Sequence, residues 1–79
     1  MSTIYACDEK TGKINRLCSY SISPKRALVT FIMQFLKRNY NTWEYPDSIP
    51  GMRESSTVKD HWYFDDFENQ RVLAAYPEV

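Results

Sequence analysis

The chain has 79 residues and a mass of 9.4 kDa, with 43% hydrophobic, 15% aromatic and 25% charged side chains. That length holds one small domain spanning 1–79 and excludes two-domain enzymes, dinucleotide-binding folds and barrels; the composition excludes disorder. Ten Lys and Arg balance ten Asp and Glu, which removes the global attraction that a basic chain has for nucleic acid or an anionic membrane.

The charge is nevertheless divided. Residues 1–40 carry seven basic and two acidic side chains and residues 41–79 carry three basic and eight acidic ones, a balance of +5 against −5. The halves either neutralise each other locally on folding or leave a bipolar surface. Only two cysteines occur, Cys7 and Cys18, in no Cys-x-x-Cys pair. This spacing supports neither a disulfide scaffold nor a zinc site and predicts a reduced, cytoplasmic protein. The longest apolar stretch, 27–36, is broken by Thr30 and Gln34, so neither a signal peptide nor a membrane span is expected.

Thr3 to Cys7 and Ile14 to Ile22 flank the charged run Asp8-Glu9-Lys10-Thr11-Gly12-Lys13, which predicts a β-hairpin turning near Gly12. Setting Asp8 opposite Lys13 places Cys7 opposite Ile14 and puts Cys18 about 13 Å along its strand from that position. A disulfide cannot span that gap.

Ser23-Pro24 predicts a helix start, with Ser as cap and Pro in the first turn, and the helix is expected to reach about Asn39. Ala27, Leu28, Phe31, Ile32, Phe35 and Leu36 recur at three-and-four spacing as one apolar stripe for a sheet to cover. Lys25 and Arg26 sit against the helix macrodipole in the first turn.

From Asn41 to Asp60, Pro46, Pro50 and Gly51 break any periodicity, leaving a long loop with an expected short edge strand over 42–45. Trp43, Tyr45 and Met52 make that loop unusually apolar. They either fold back on the core or form a contact surface. His61 to Asp65 and Arg71 to Tyr76 predict a second hairpin through Asp66-Phe67-Glu68-Asn69-Gln70, with Asn69 as its left-handed residue. Aromatics alternate over both faces of that hairpin, so one sheet face is expected to carry exposed tyrosines.

Catalytic patterns are missing. His61 is the one histidine and has no nucleophile partner in sequence, so a structural role is expected for it. Asp65 and Asp66 are adjacent in a strand and must diverge, which rules out a glycosidase pair. Gly12 and Gly51, the only glycines, form no phosphate cradle. The expectation is a non-enzymatic protein with no catalytic residue, cofactor or metal. Tyr5, Tyr20 or Tyr63 beside Arg16 and Lys13 offers base stacking, against which the acidic second half weighs.

The expected architecture is α+β: hairpin, helix, long loop, hairpin, giving an antiparallel sheet of three or four strands with one helix on one face. This element order, from the Lys10-Thr11-Gly12 turn through the Ser23-Pro24 helix start to the Asp65–Arg71 hairpin, resembles the small phage-encoded inhibitors of the anti-CRISPR type. The resemblance carries no residue roles. It implies a stoichiometric blocker of a host defence complex in the host cytoplasm. The alternatives are a nucleic-acid-binding regulator using the basic first half and a structural or accessory subunit. A protein partner is favoured over nucleic acid, and a homodimer is compatible with the chain. The contact residues expected are Trp43, Tyr45, Met52 and Arg53 in the loop, with Asp65, Asp66 and Glu68 at the far turn, because large aromatics and Arg dominate interfaces and acidic groups steer a basic partner.

Overall fold

The computed structural model describes residues 1–36 and 46–78. Strands β1 (Ser2–Asp8) and β2 (Ile14–Tyr20) form the first hairpin, followed by helix α1 (Pro24–Phe31) and a π-helical turn (Ile32–Leu36). Strands β3 (Met52–Glu54), β4 (Trp62–Asp66) and β5 (Arg71–Pro77) complete one antiparallel sheet in the order β2-β1-β5-β4-β3. The fold is therefore α+β with a helix on one face of a sheet. The sheet has five strands where the sequence predicted three or four, and the addition is β3. That strand is too short for alternation to register, and it follows directly on Pro50-Gly51. The edge strand expected over 42–45 lies outside the described residues.

The first hairpin has the predicted register. Asp8 N–H donates to the Lys13 carbonyl at 2.9 Å and Cys7 stands opposite Ile14. The Asp8 carboxylate caps the turn by accepting from the amides of Lys10 and Thr11 at 2.8 and 2.9 Å, and Gly12 takes φ +73°. The pairing then slips: Tyr5 stands opposite Arg16 and Ile4 opposite Cys18, which leaves Leu17 as a bulge. The second hairpin turns through four residues, and its left-handed residue is Gln70, φ 52°, in place of the expected Asn69. Asn69 instead spends its side-chain amide on Asp66 Oδ2 at 2.9 Å. The two hairpin tips lie side by side, joined by a bond from Glu9 N–H to the Gln70 carbonyl at 3.0 Å.

Ser23 occupies the N-cap with Pro24 in the first turn, but its side chain makes no capping bond; its carbonyl accepts from Ala27 N–H at 2.8 Å. Regular α-helix ends at Phe31 and passes into the π-helical turn through Leu36; the expected end near Asn39 lies outside the described residues. The π-helical turn that follows is wider than an α-turn, so the three-and-four stripe loses its phase. Ala27, Leu28, Phe31 and Ile32 are buried as predicted, whereas Phe35 is 63% exposed and stacks on Phe31 with 4.8 Å between centroids. Lys25 lies over the Trp62 ring at 5.1 Å, a cation–π contact that accounts for a cation in the first turn.

The core fills the space between α1 and the sheet. Ile4, Ala6, Phe64, Leu73 and Ala75 face Ala27, Leu28, Val29, Phe31 and Ile32, and Ile49 folds back from the 46–51 segment to join them. Gly51, φ +97°, sits against the Phe64 ring and turns the chain from Ile49 into β3, where Met52 N–H donates to the Ile49 carbonyl at 3.0 Å. Between β3 and β4 the Ser55-Ser56-Thr57 cluster is an ordered turn: Ser55 Oγ accepts from the amides of Thr57 and Val58 at 3.2 and 3.1 Å.

Candidate functional site

Strand alternation sends every second side chain to the face that α1 leaves open. From the register, one row across all five strands on this face reads Arg16, Tyr5, Ala74, Tyr63, Arg53. At strand spacing of ~4.8 Å the two arginines are about 19 Å apart. The neighbouring row places Tyr76 between Thr3 and His61.

These rings form one continuous cluster centred on Tyr76. Its centroid is 5.5 Å from Tyr5, 4.3 Å from His61 and 6.1 Å from Tyr63. Beneath them the small residues Thr3 and Ala74 are 0% and 7% exposed, so the rings roof the strand backbone and present their outer surfaces to solvent. Arg53 lies over Tyr63 at 5.8 Å and is fixed there by a two-pronged bond to Asp65, Nη1 to Oδ2 at 3.1 Å and Nη2 to Oδ1 at 3.3 Å.

At the other end, the Tyr5 hydroxyl donates to Glu78. That bond raises the Tyr5 pKa, with burial adding to it, and it holds the Glu78 carboxyl below its usual value. Burial, followed by a hydrogen bond with Tyr63, pushes Tyr76 up to about 12. Tyr5 is thus anchored to Glu78 and Tyr76 to Tyr63. Arg16 is exposed and donates from Nη2 to Ser19 Oγ at 2.7 Å.

The structure redistributes the residues that the sequence proposed as contacts. Arg53 and Asp65 come together on the open face. Met52 points the other way and packs against the core. Asp66 also turns inward: its side chain is 0% exposed and accepts from Arg71 Nε at 2.8 Å, so it is a structural carboxylate and not a surface contact. The divergence of Asp65 and Asp66 is as strand geometry required. Glu68 sits in the exposed β4–β5 turn, away from the row through Tyr5 and Tyr63. Trp43 and Tyr45 lie outside the described residues.

Sequence reasoning offered Tyr5, Tyr20 or Tyr63 as stacking residues; Tyr20 instead packs against the core on the helix side, and Tyr76, Glu78 and the stacked His61 were missed. The signal was the alternation Val72, Ala74, Tyr76 in register with Tyr63 and Asp65. It becomes visible only when β1 and β5, at opposite ends of the chain, are known to be neighbours.

Among the described residues no group of His, Cys, Asp and Glu could hold a metal ion. Two concavities lie elsewhere. One, of about 260 Å³, is lined by Arg26, Val29, Thr30, Pro46 and Asp47; the other, of about 280 Å³, by Ala6, Asp8, Asn15, Leu17, Asn69 and Arg71. Neither lining contains a nucleophile beside a base. No helix of the described residues is long and apolar enough to cross a membrane. Comparison with protein-family models, with curated proteins and with solved structures finds no match for the chain.

Proposed function

We propose that the protein is a non-catalytic binding protein that acts by occupying the surface of another protein, and that the open sheet face is its contact surface. The observation that carries this reading is the unbroken cluster of Tyr5, Tyr76, Tyr63 and His61 with Arg53 laid over it. Tyrosine and arginine dominate interface energetics because they bury large areas with few rotors and make directed polar contacts. Here the rings are already immobilised by one another, so little side-chain entropy is lost on binding.

Both sheet edges are poor docking sites by comparison. The β2 edge is interrupted by the Leu17 bulge and β3 has three residues, devices that discourage strand addition. The role implied by the resemblance to anti-CRISPR-type inhibitors, stoichiometric blocking of a host defence complex in the cytoplasm, is the form of this proposal that the sequence favours. Trp43, Tyr45 and Glu68 remain candidate contacts of the protein.

A second reading has one observation in its favour: flat aromatic platforms on open sheets also stack the bases of single-stranded nucleic acid. Asp65 and Glu78 stand on the same platform and oppose a phosphate chain, which ranks this reading second.

The test uses the intact protein as bait in a bacterial lysate beside its Tyr63→Ala variant, with the fold of each checked by far-ultraviolet circular dichroism. The expected result is a stoichiometric protein partner retained by the native chain and lost by the folded variant. Equal retention by both overturns the assignment of the face. Loss of capture after nuclease treatment supports the second reading instead.

A further inference from the structure

The charges of the tyrosine face are not equally committed. Arg53 is held by Asp65, and Glu78 takes hydrogen bonds from Tyr5 and Thr3. Arg16, at the β2 end of the same row, is exposed; its side-chain hydrogen bond goes to Ser19, and although its charge helps to hold the Glu78 carboxyl down, no carboxylate lies within salt-bridge distance of it among the described residues. A guanidinium carries five donors in a planar fork that matches a carboxylate in two-pronged fashion. Ser19 also steers that fork, since its Oγ is within 3.1 Å of Thr3 Oγ1 and is fixed by it. Beside Arg16 lies the ring of Tyr5, with Tyr76 packed on the far side of that ring, and next along β2 on this face is Ile14, 66% exposed.

We propose that the occupant of this face is an extended polypeptide segment of a partner protein in which a carboxylate side chain stands next to an apolar one. The carboxylate pairs with Arg16, and the apolar side chain lies on the Tyr5 and Tyr76 rings. The proposal rests on the reading of this face as a protein-binding surface and adds the chemistry of what it binds.

Charge complementarity selects this occupant. The face as a whole holds two cations and two anions, Arg16 and Arg53 against Asp65 and Glu78, so a strand with a phosphate at every nucleotide would meet as much repulsion as attraction. A segment with a single carboxylate meets Arg16, which has no ion pair at contact distance among the described residues, and leaves the internal Arg53–Asp65 pair intact. Once a partner covers the pair, water is excluded and the charge-assisted bond strengthens.

The experiment pans a displayed library of random peptides against the intact protein and measures the enriched peptides by fluorescence anisotropy. The expected result is enrichment of peptides with Asp or Glu within a few positions of Pro, Leu or an aromatic residue. Arg16→Gln should weaken them by about tenfold. Exchanging the peptide's acid for its amide should cost about the same in the native protein and almost nothing in the Arg16→Gln variant.

Enriched peptides that lack an acid, or that bind Arg16→Gln unchanged but lose Tyr63→Ala, overturn the carboxylate while sparing the face. Peptides indifferent to both variants overturn the face as well. Failure to enrich any peptide, self-association that buries Arg16, or tighter binding of a thymidine oligonucleotide than of any peptide each overturns the proposal.

Discussion

Asp66 and Arg71 face each other at the mouth of the β4–β5 hairpin, and the carboxylate of the one is sealed from solvent while Nε of the other reaches it at 2.8 Å. The pair sits on the helix side of the sheet, where a lone charge is costly, and Asn69 supplies a further donor from within the turn. Removing one member of a buried pair costs up to ~3 to 5 kcal/mol, and with Arg71 gone the buried Asp66 carboxylate would keep hydrogen bonds such as that from Asn69 but lose its guanidinium. A domain of this size has stability of only ~5 to 15 kcal/mol to draw on. Arg71→Ala is therefore expected to lower the melting temperature more than Arg53→Ala, whose pair with Asp65 is exposed and worth at most ~1 kcal/mol. Paired melts by circular dichroism decide it; equal effects would mean that the buried pair is not a keystone of the hairpin.

The same carboxylate predicts how the fold responds to acid. Burial by itself would raise the Asp66 pKa, but the hydrogen bonds from Arg71 and Asn69 and the Arg71 charge outweigh it, so the folded value lies below the ordinary one. Asp8, through the amides of Thr11 and Lys10, and Glu78, through Tyr5 and Thr3, are lowered as well. A carboxyl with a depressed folded pKa contributes stability that is complete above its unfolded value of ~4 and is lost as the pH falls through the folded one. The melting temperature should be flat from pH 7 to about pH 5 and then fall steeply. The Asp66→Asn variant should start lower and fall less. A native midpoint that holds constant down to pH 3 would contradict this.

The parts of this fold that were legible in the sequence are those set by local chemistry. Asp8 and Gly12 fixed the first turn because one caps amides and the other adopts a positive φ, and from these the pairing of Cys7 with Ile14 followed. Ser23-Pro24 fixed the helix start. Elements that depend on distant partners were not legible. The Leu17 bulge is imposed by the pairing of β2 with β1, and β3 has too few residues to show a period. Phe35 left its stripe when the helix widened after Phe31. The site was half legible for the same reason: Arg53, Asp65, Tyr5 and Tyr63 were each noticed, but Arg53, Tyr63 and Tyr5 are united by a row that crosses five strands, and Asp65 joins it only through Arg53.

The two glycines separate backbone strain from steric clash. Both have positive φ, +73° at Gly12 and +97° at Gly51, but a Cβ on Gly12 meets open space and one on Gly51 meets the Phe64 ring at 3.3 Å. Gly12→Ala should cost ~1 kcal/mol, the left-handed penalty for a side chain. Gly51→Ala should cost distinctly more, since Phe64 belongs to the core and must shift. Chemical denaturation of both variants measures the difference. Equal costs would mean that Phe64 gives way freely.

Tyr76 provides a spectroscopic check on the aromatic cluster. Its hydroxyl is pushed up to about 12 by burial and by the neighbouring Tyr63, and Tyr5 is also raised, chiefly by its bond to Glu78. An acid whose folded pKa is raised gives stability that is complete below the unfolded value of ~10 and is lost as the pH climbs through the folded one. Alkaline titration followed by tyrosinate absorbance should therefore show a late step coincident with unfolding near pH 12. In Tyr76→Phe that step should vanish. If all tyrosines ionise together near pH 10, the cluster on the open face is not formed in solution.

The cysteines give a direct test of register. Cys7 lies on the open face opposite Ile14, whereas Cys18 stands opposite Ile4 and packs against the core on the helix side. Both are free thiols. A disulfide needs Cα atoms within ~7 Å and Cβ vectors that point toward each other. Here the side chains project from opposite faces of the sheet, and their positions are three residues apart along β1, about 10 Å at strand rise. Mild oxidation should therefore yield no intramolecular bridge. Intact mass spectrometry under non-reducing conditions should find the monomer at its fully reduced mass, and Cys7, the half-exposed thiol of the open face, should react with a maleimide before Cys18 does. A monomer lighter by two hydrogens would require the two strands to pair in another register, and with it would go the row that aligns Arg16 with Tyr5.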